Sequence, residues 1–73
     1  MTNLPVLKGR QVIAALEKGG FVVVSVKKHV KLRHPDGRIT MVPNHPGKDV
    51  LPATLDSVLR RADVTADEFR SWL

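Results

Sequence analysis

Apolar positions along this chain recur first with a helical period, then with a strand period, then with a helical period again. Val12, Ile13 and Leu16 share one face, and Ala14 and Ala15 are strong helix formers, so the spacing predicts a helix over Gly9 to Lys18. Gly19-Gly20 ends it, because glycine takes the left-handed cap conformation at little cost. No helix follows that pair, so it reads as a cap and not as a phosphate loop. Phe21-Val22-Val23-Val24-Ser25-Val26 is rich in β-branched residues and too short for a second helix, which predicts a strand. Lys27-Lys28 links it to a second strand, His29 to His34. The turn Pro35-Asp36-Gly37 leads to a third, Arg38 to Val42. Three consecutive strands with short links form an antiparallel meander.

Pro43-Asn44-His45-Pro46-Gly47-Lys48 reads as an irregular loop, since its prolines and glycine suit neither ladder nor helix. Helix resumes at Pro52, a favourable first-turn residue. Leu55, Val58, Leu59 and Ala62 then form one apolar stripe at i, i+3, i+4 and i+7. Thr65-Ala66-Asp67-Glu68 has the form of a capping box for a last short helix, which Phe69, Trp72 and Leu73 fold back on the core. The expected fold is α+β, in the order α-β-β-β-α plus a terminal helical turn. Both main helices have one apolar face, so they must cover the same face of a three-stranded antiparallel sheet and leave the other open. The first seven residues read as a plain lead-in.

The middle strand carries the chemistry. Val30, Leu32 and His34 have one parity; His29, Lys31 and Arg33 have the other. The first set is mostly apolar and belongs to the core. The second therefore belongs to the open face, and places an imidazole, the side chain that trades protons near neutral pH, in a row with two cations. A solvated sheet face with a bystander histidine has the same pattern. His34, on the inward parity beside the turn, reads as closing a local hydrogen bond. His45 rides on a loop able to overhang a site. Trp72, beside Phe69 and Leu73, reads as packing.

Charge sharpens the picture. Nine of the twelve Lys/Arg but only three of the seven acids precede residue 51. Lys27, Lys28, Lys31, Arg33 and Arg38 crowd into twelve residues opposed by Asp36 alone. Such a cluster is an electrostatic footprint for nucleic acid or for an acidic protein. With 73 residues the chain makes one domain, residues 1–73, and buries only about 60% of its unfolded surface, so any site lies on an open surface or is completed by a partner. The absence of cysteine excludes thiolate zinc sites and disulfides, and fits a reducing compartment. No apolar run approaches the ~20 residues of a membrane span, and Met1 to Lys8 lacks a signal-peptide pattern, so a soluble cytoplasmic protein is expected, with no membrane partner. With aromatic residues at 4%, a base-stacking platform is not expected.

Several segments, in order, resemble the HicA toxin family: Leu16-Glu17-Lys18-Gly19-Gly20-Phe21, His29 after a short basic link, Arg33-His34-Pro35-Asp36-Gly37-Arg38, Val42-Pro43-Asn44-His45-Pro46-Gly47-Lys48, Thr54-Leu55 and Val58-Leu59-Arg60. The resemblance covers about residues 5 to 73. It implies a fold like that of double-stranded-RNA-binding domains and a small ribonuclease that cleaves messenger RNA, restrained by a HicB-type antitoxin. It also implies a catalytic histidine at the start of the second strand, where His29 stands; Lys27-Lys28 occupies the place of the family's usual Gly-Ser.

On this reading His29 is the general acid or base. Lys27, Lys28, Lys31, Arg33, Arg38 and Lys48 are the candidate RNA-binding residues. The chain lacks the tight carboxylate cluster of a two-metal nuclease, so neither metal nor other cofactor is expected. Two other functions fit the same pattern: a non-catalytic RNA-binding module of this fold, and a basic domain that meets an acidic protein.

Overall fold

The structure, a computed structural model, describes residues 4–43 and 47–73. The elements run β1 (Leu7–Lys8), α1 (Gly9–Lys18), β2 (Val22–Val26), β3 (His29–Arg33), β4 (Ile39–Pro43), β5 (Asp49–Val50), α2 (Pro52–Ala62) and α3 (Ala66–Ser71). The fold is α+β, with a three-stranded antiparallel sheet in the order β2-β3-β4 and a short C-terminal helix, consistent with the order of double-stranded-RNA-binding domains.

Two additions to the expected fold involve segments too short to show a period. β1 and β5 pair antiparallel as a separate two-stranded ribbon, Leu7 opposite Val50 and Lys8 opposite Asp49. The ion pair from Lys8 Nζ to Asp49 Oδ1 at 2.7 Å fastens it. Leu7, the end of the expected lead-in, and Lys8, Asp49 and Val50, for which no element is expected, thus tie the start of α1 to the approach to α2. In addition, Pro43 closes β4 opposite His29 and does not open the loop.

The core is one cluster. α1 contributes Val12, Ala15 and Leu16; the inward parity of β3 and β4 contributes Val30, Leu32 and Val42; α2 contributes Leu55, Val58, Leu59 and Ala62; Phe21, Val50, Val64 and Phe69 complete it. Both long helices therefore lie on one face of the sheet. Thr40 is the buried polar residue among these, and its hydroxyl donates to the Val58 carbonyl at 2.8 Å, fixing the level of α2 along β4. Such a bond contributes about 1 kcal/mol, and its loss would leave a buried hydroxyl unpaired.

The helix ends follow local chemistry. α1 begins with the Lys8 N–H donating to Gln11 Oε1 at 2.8 Å. α2 ends at Asp63, which adopts the left-handed conformation at φ 53°. α3 opens with a reciprocal pair: Glu68 N–H to Thr65 Oγ1 and Thr65 N–H to Glu68 Oε1, both 3.1 Å. This is the capping box read from residues 65–68.

Candidate functional site

The site is built on β3. Its side chains alternate between the two faces: His29, Lys31 and Arg33 are exposed, and Val30 and Leu32 are buried. The apolar members must reach the helices, so the polar members are driven to the uncovered face. β4 is in register, with His29 opposite Pro43, Lys31 opposite Met41 and Arg33 opposite Ile39. On the other side, β2 bulges at Val24, between Val23 and Ser25, so that Ser25 comes opposite Lys31 and Val22 opposite Arg33. Lys27 and Lys28 make the bend between β2 and β3. The Lys27 N–H donates to the His29 carbonyl at 3.2 Å and so fixes the backbone that presents the imidazole.

His29, Lys27, Lys28 and Lys31 line one open depression together with Ser25 and Met41. His29 also borders a second depression on the far side of β4, shared with Met41, Pro43, Thr54, Ser57, Val58 and Arg61. The imidazole thus stands on a ridge between a lysine-lined hollow and a hollow walled by α2. Three members of the second hollow, Thr54, Ser57 and Arg61, are not among the site residues expected from the sequence, although Thr54 belongs to a segment that carries the resemblance. The signal was present: they are spaced i, i+3 and i+7 on α2, a polar stripe flanking the apolar one.

The remaining candidates are placed elsewhere. Arg33 is at the opposite end of β3 from His29, beside a third hollow with Val22, Val24, His34 and Pro35. Lys48 is exposed just before β5, beside the ribbon and outside its pairing. Arg38 precedes β4 at the end of the sheet away from His29, and its guanidinium is heavily engaged. Nη1 donates to the carbonyls of Ala62 (3.0 Å) and Asp63 (3.1 Å), Nε donates to Asp36 Oδ2 (2.8 Å), and the group lies 5.3 Å from the Phe21 ring centroid. It therefore closes the C-terminus of α2, where cations interact favourably with the helix dipole.

The two described histidines differ in setting. His34 is part-buried, packed edge-on to Phe21 with ring centroids 5.1 Å apart, and its Nδ1 lies 3.2 Å from the Asp36 N–H and 3.0 Å from Asp36 Oδ1. A neutral ring accepts from that N–H; a protonated ring pairs with the carboxylate. This is the local hydrogen bond expected at the strand end. His45 lies outside the described residues. Of the two described histidines, His29 is the one both exposed and set among lysines. Among the described residues, no group of three or more His, Cys, Asp or Glu is placed to hold a metal ion. No helix among them is long and apolar enough to cross a membrane.

The open face is not purely polar. Val22, Val24, Ile39 and Met41 are exposed around the cations, which gives the sheet a mixed apolar and basic surface of the kind that a protein partner covers.

Fold and site together define the class: a small basic α+β domain that presents a histidine among lysines on an uncovered three-stranded sheet. The family model for the HicA toxin of bacterial toxin–antitoxin systems matches residues 9–64. The match spans most of the chain, and the chain belongs to the HicA toxin family. Its role is that of the toxin in a toxin–antitoxin pair, and its biological partner is an antitoxin. No curated protein matches the chain.

Proposed function

We propose that this toxin is an endoribonuclease that cleaves messenger RNA in the cytoplasm at His29 without a metal ion, and that a HicB-type antitoxin restrains it. The observation that carries this reading is the placement of His29: exposed at the start of β3, in one hollow with Lys27, Lys28 and Lys31. The nucleophile is the RNA's own 2′-hydroxyl. His29 removes its proton, the 2′-oxygen bonds to the adjacent phosphorus, and the bond from phosphorus to the 5′-oxygen breaks. A second protonated group supplies the proton that the departing 5′-oxygen takes up. The products are a 2′,3′-cyclic phosphate and a free 5′-hydroxyl. Lys28 and Lys31 hold the phosphate and offset the charge that builds on its oxygens. Arg33, farther along the same face, holds the strand beyond the cleaved bond.

The antitoxin's place follows from the same surface. A partner that supplies acidic groups to Lys28 and Lys31 and apolar groups to Met41 and Ile39 would occupy the ground that RNA needs, so inhibition is by occlusion.

The test compares the wild-type chain with His29→Ala on a defined RNA and, in parallel, on growth after induction. Proton transfer of this kind contributes roughly 10²- to 10⁴-fold. Cleavage by His29→Ala should fall by that much while RNA binding persists. A variant that still cuts at the wild-type rate ends the catalytic role of His29. A wild-type chain that binds RNA without cutting it makes the protein a binding module.

A further inference from the structure

The hollow behind His29 has its own cation. α2 carries two adjacent arginines with opposite fates. Arg60 is tied to Asp56 one turn earlier, Nε to Oδ2 at 3.0 Å. Arg61 is exposed, makes no ion pair among the described residues, and lines the hollow that His29, Met41 and Pro43 border from the sheet side. The helix stripe that contains it also sets Thr54 and Ser57 along the same wall. That wall offers a cation and the Thr54 hydroxyl, the Ser57 hydroxyl donating to the Ala53 carbonyl at 3.2 Å, and among the described residues no carboxylate.

We infer that Arg61 is a substrate-binding residue that holds an RNA phosphate neighbouring the cleaved one, on the side of His29 opposite Lys27, Lys28 and Lys31. The RNA then runs along the open face from Arg33 to His29 and leaves the sheet over its His29–Pro43 end, toward α2. The scissile phosphate lies at the imidazole, held from the other side by Lys28 and Lys31, and the next rests against α2. Guanidinium suits the task because its planar fork meets two phosphate oxygens at once. Two anchors astride the imidazole would fix the strand's direction, which in-line attack by a 2′-hydroxyl requires. This inference rests on the nuclease reading above for the identity of the ligand. It goes beyond that reading in assigning α2 to the substrate path.

The experiment measures binding of a fluorescent 2′-O-methyl RNA, which lacks the nucleophile, to the full chain across a salt series. The variants are Arg61→Ala, Arg61→Lys and Arg60→Ala, with circular dichroism confirming that each is folded. Arg61→Ala should weaken binding roughly tenfold at low salt, the loss expected for one charge-assisted contact. It should also reduce the slope of log K against log salt by about 0.7, the share of one single-strand phosphate. Arg61→Lys should restore the slope, and Arg60→Ala should match the wild type in both. An unchanged slope in Arg61→Ala overturns the inference, as does an equal loss in Arg60→Ala, which would indicate a diffuse charge effect. The nuclease reading fails separately: if His29→Ala still cleaves unmodified RNA, that reading falls whatever Arg61 does. If His29→Ala is inactive and Arg61→Ala binds like the wild type, only the role of Arg61 is lost.

Discussion

Trp72 lies across Gly19. A β-carbon built on residue 19 would sit 2.5 Å from the indole, closer than any two such atoms can pack. Gly19 has φ −78°, which any residue can adopt, so its small size is needed for the ring rather than for the backbone. Gly19→Ala must displace the indole and with it the seating of α3 on the core, an overpacking cost of about 1–3 kcal/mol. For a domain of this size that lowers the melting temperature by several degrees. The cost should largely vanish in a Trp72→Ala background, because the two residues share one contact. Thermal melts of the four proteins in that cycle measure the coupling, and simple additivity would show that Trp72 does not rest on Gly19.

His34 and His29 are five residues apart on one chain segment and should respond to alanine in opposite ways. His34 fills space beside Phe21 and against Gly20, where a β-carbon would meet its Nε2 at 2.9 Å. Losing it leaves a gap at the edge of the core, so His34→Ala should cost about 1–2 kcal/mol in urea unfolding and leave cleavage by the folded protein near wild type. His29→Ala removes an exposed side chain, should change stability by less than about 0.5 kcal/mol, and should lose the activity. A chain that loses cleavage with His34→Ala at full stability would move the site to the other end of the strand.

The sequence was informative wherever an element buries a periodic face. Gly9–Lys18 could be bounded because a glycine pair follows it, and the parity of β3 could be read because Val30 and Leu32 must reach the core. It was silent where structure comes from contact between distant short segments. Leu7–Lys8 and Asp49–Val50 have no pattern of their own; each is a strand only because the other lies beside it. The charge cluster was legible in a similar, partial way. Counting cations in a window treats Lys31 and Arg38 alike, whereas the fold turns Lys31 to solvent and closes Arg38 over the end of α2. The bulge at Val24, which sets Ser25 beside Lys31, left no sequence signal to read.

That difference between the two cations is measurable. Arg38→Ala removes donors to two helix-end carbonyls, an ion pair and a cation–π contact, and should destabilise the protein by about 2–3 kcal/mol. Lys31→Ala removes an exposed amine and should leave stability within about 0.5 kcal/mol. In RNA binding the order should reverse: Lys31→Ala lowers affinity and the salt slope, and folded Arg38→Ala retains both. Denaturant titration together with a salt series of RNA binding checks the pair. A salt slope lowered by Arg38→Ala and not by Lys31→Ala would move the RNA toward the α2 C-terminus.

Asp36 couples the Pro35-Asp36-Gly37 turn to pH. The Arg38 backbone N–H donates to its Oδ1 at 3.0 Å, and this bond, against the opposing desolvation and with lesser help from the Arg38 guanidinium and His34, holds the carboxyl below its usual range. Because the folded value is lowered, the unfolded chain binds more protons in the acid region, and stability there rises with pH. The contribution is fully present above the unfolded carboxylate value of about 4 and is lost as the pH falls through the folded value. Asp36→Asn keeps an acceptor for the Arg38 N–H but cannot titrate. Its urea midpoint should therefore fall less steeply than the wild type's between about pH 5 and pH 2, with the two curves diverging most above pH 5. The carboxylate is solvent-exposed, so the divergence should be small and shrink in high salt. Parallel curves through that window would mean that the turn carboxylate has the same proton affinity folded and unfolded, and that Arg38 is held by the α2 carbonyls alone.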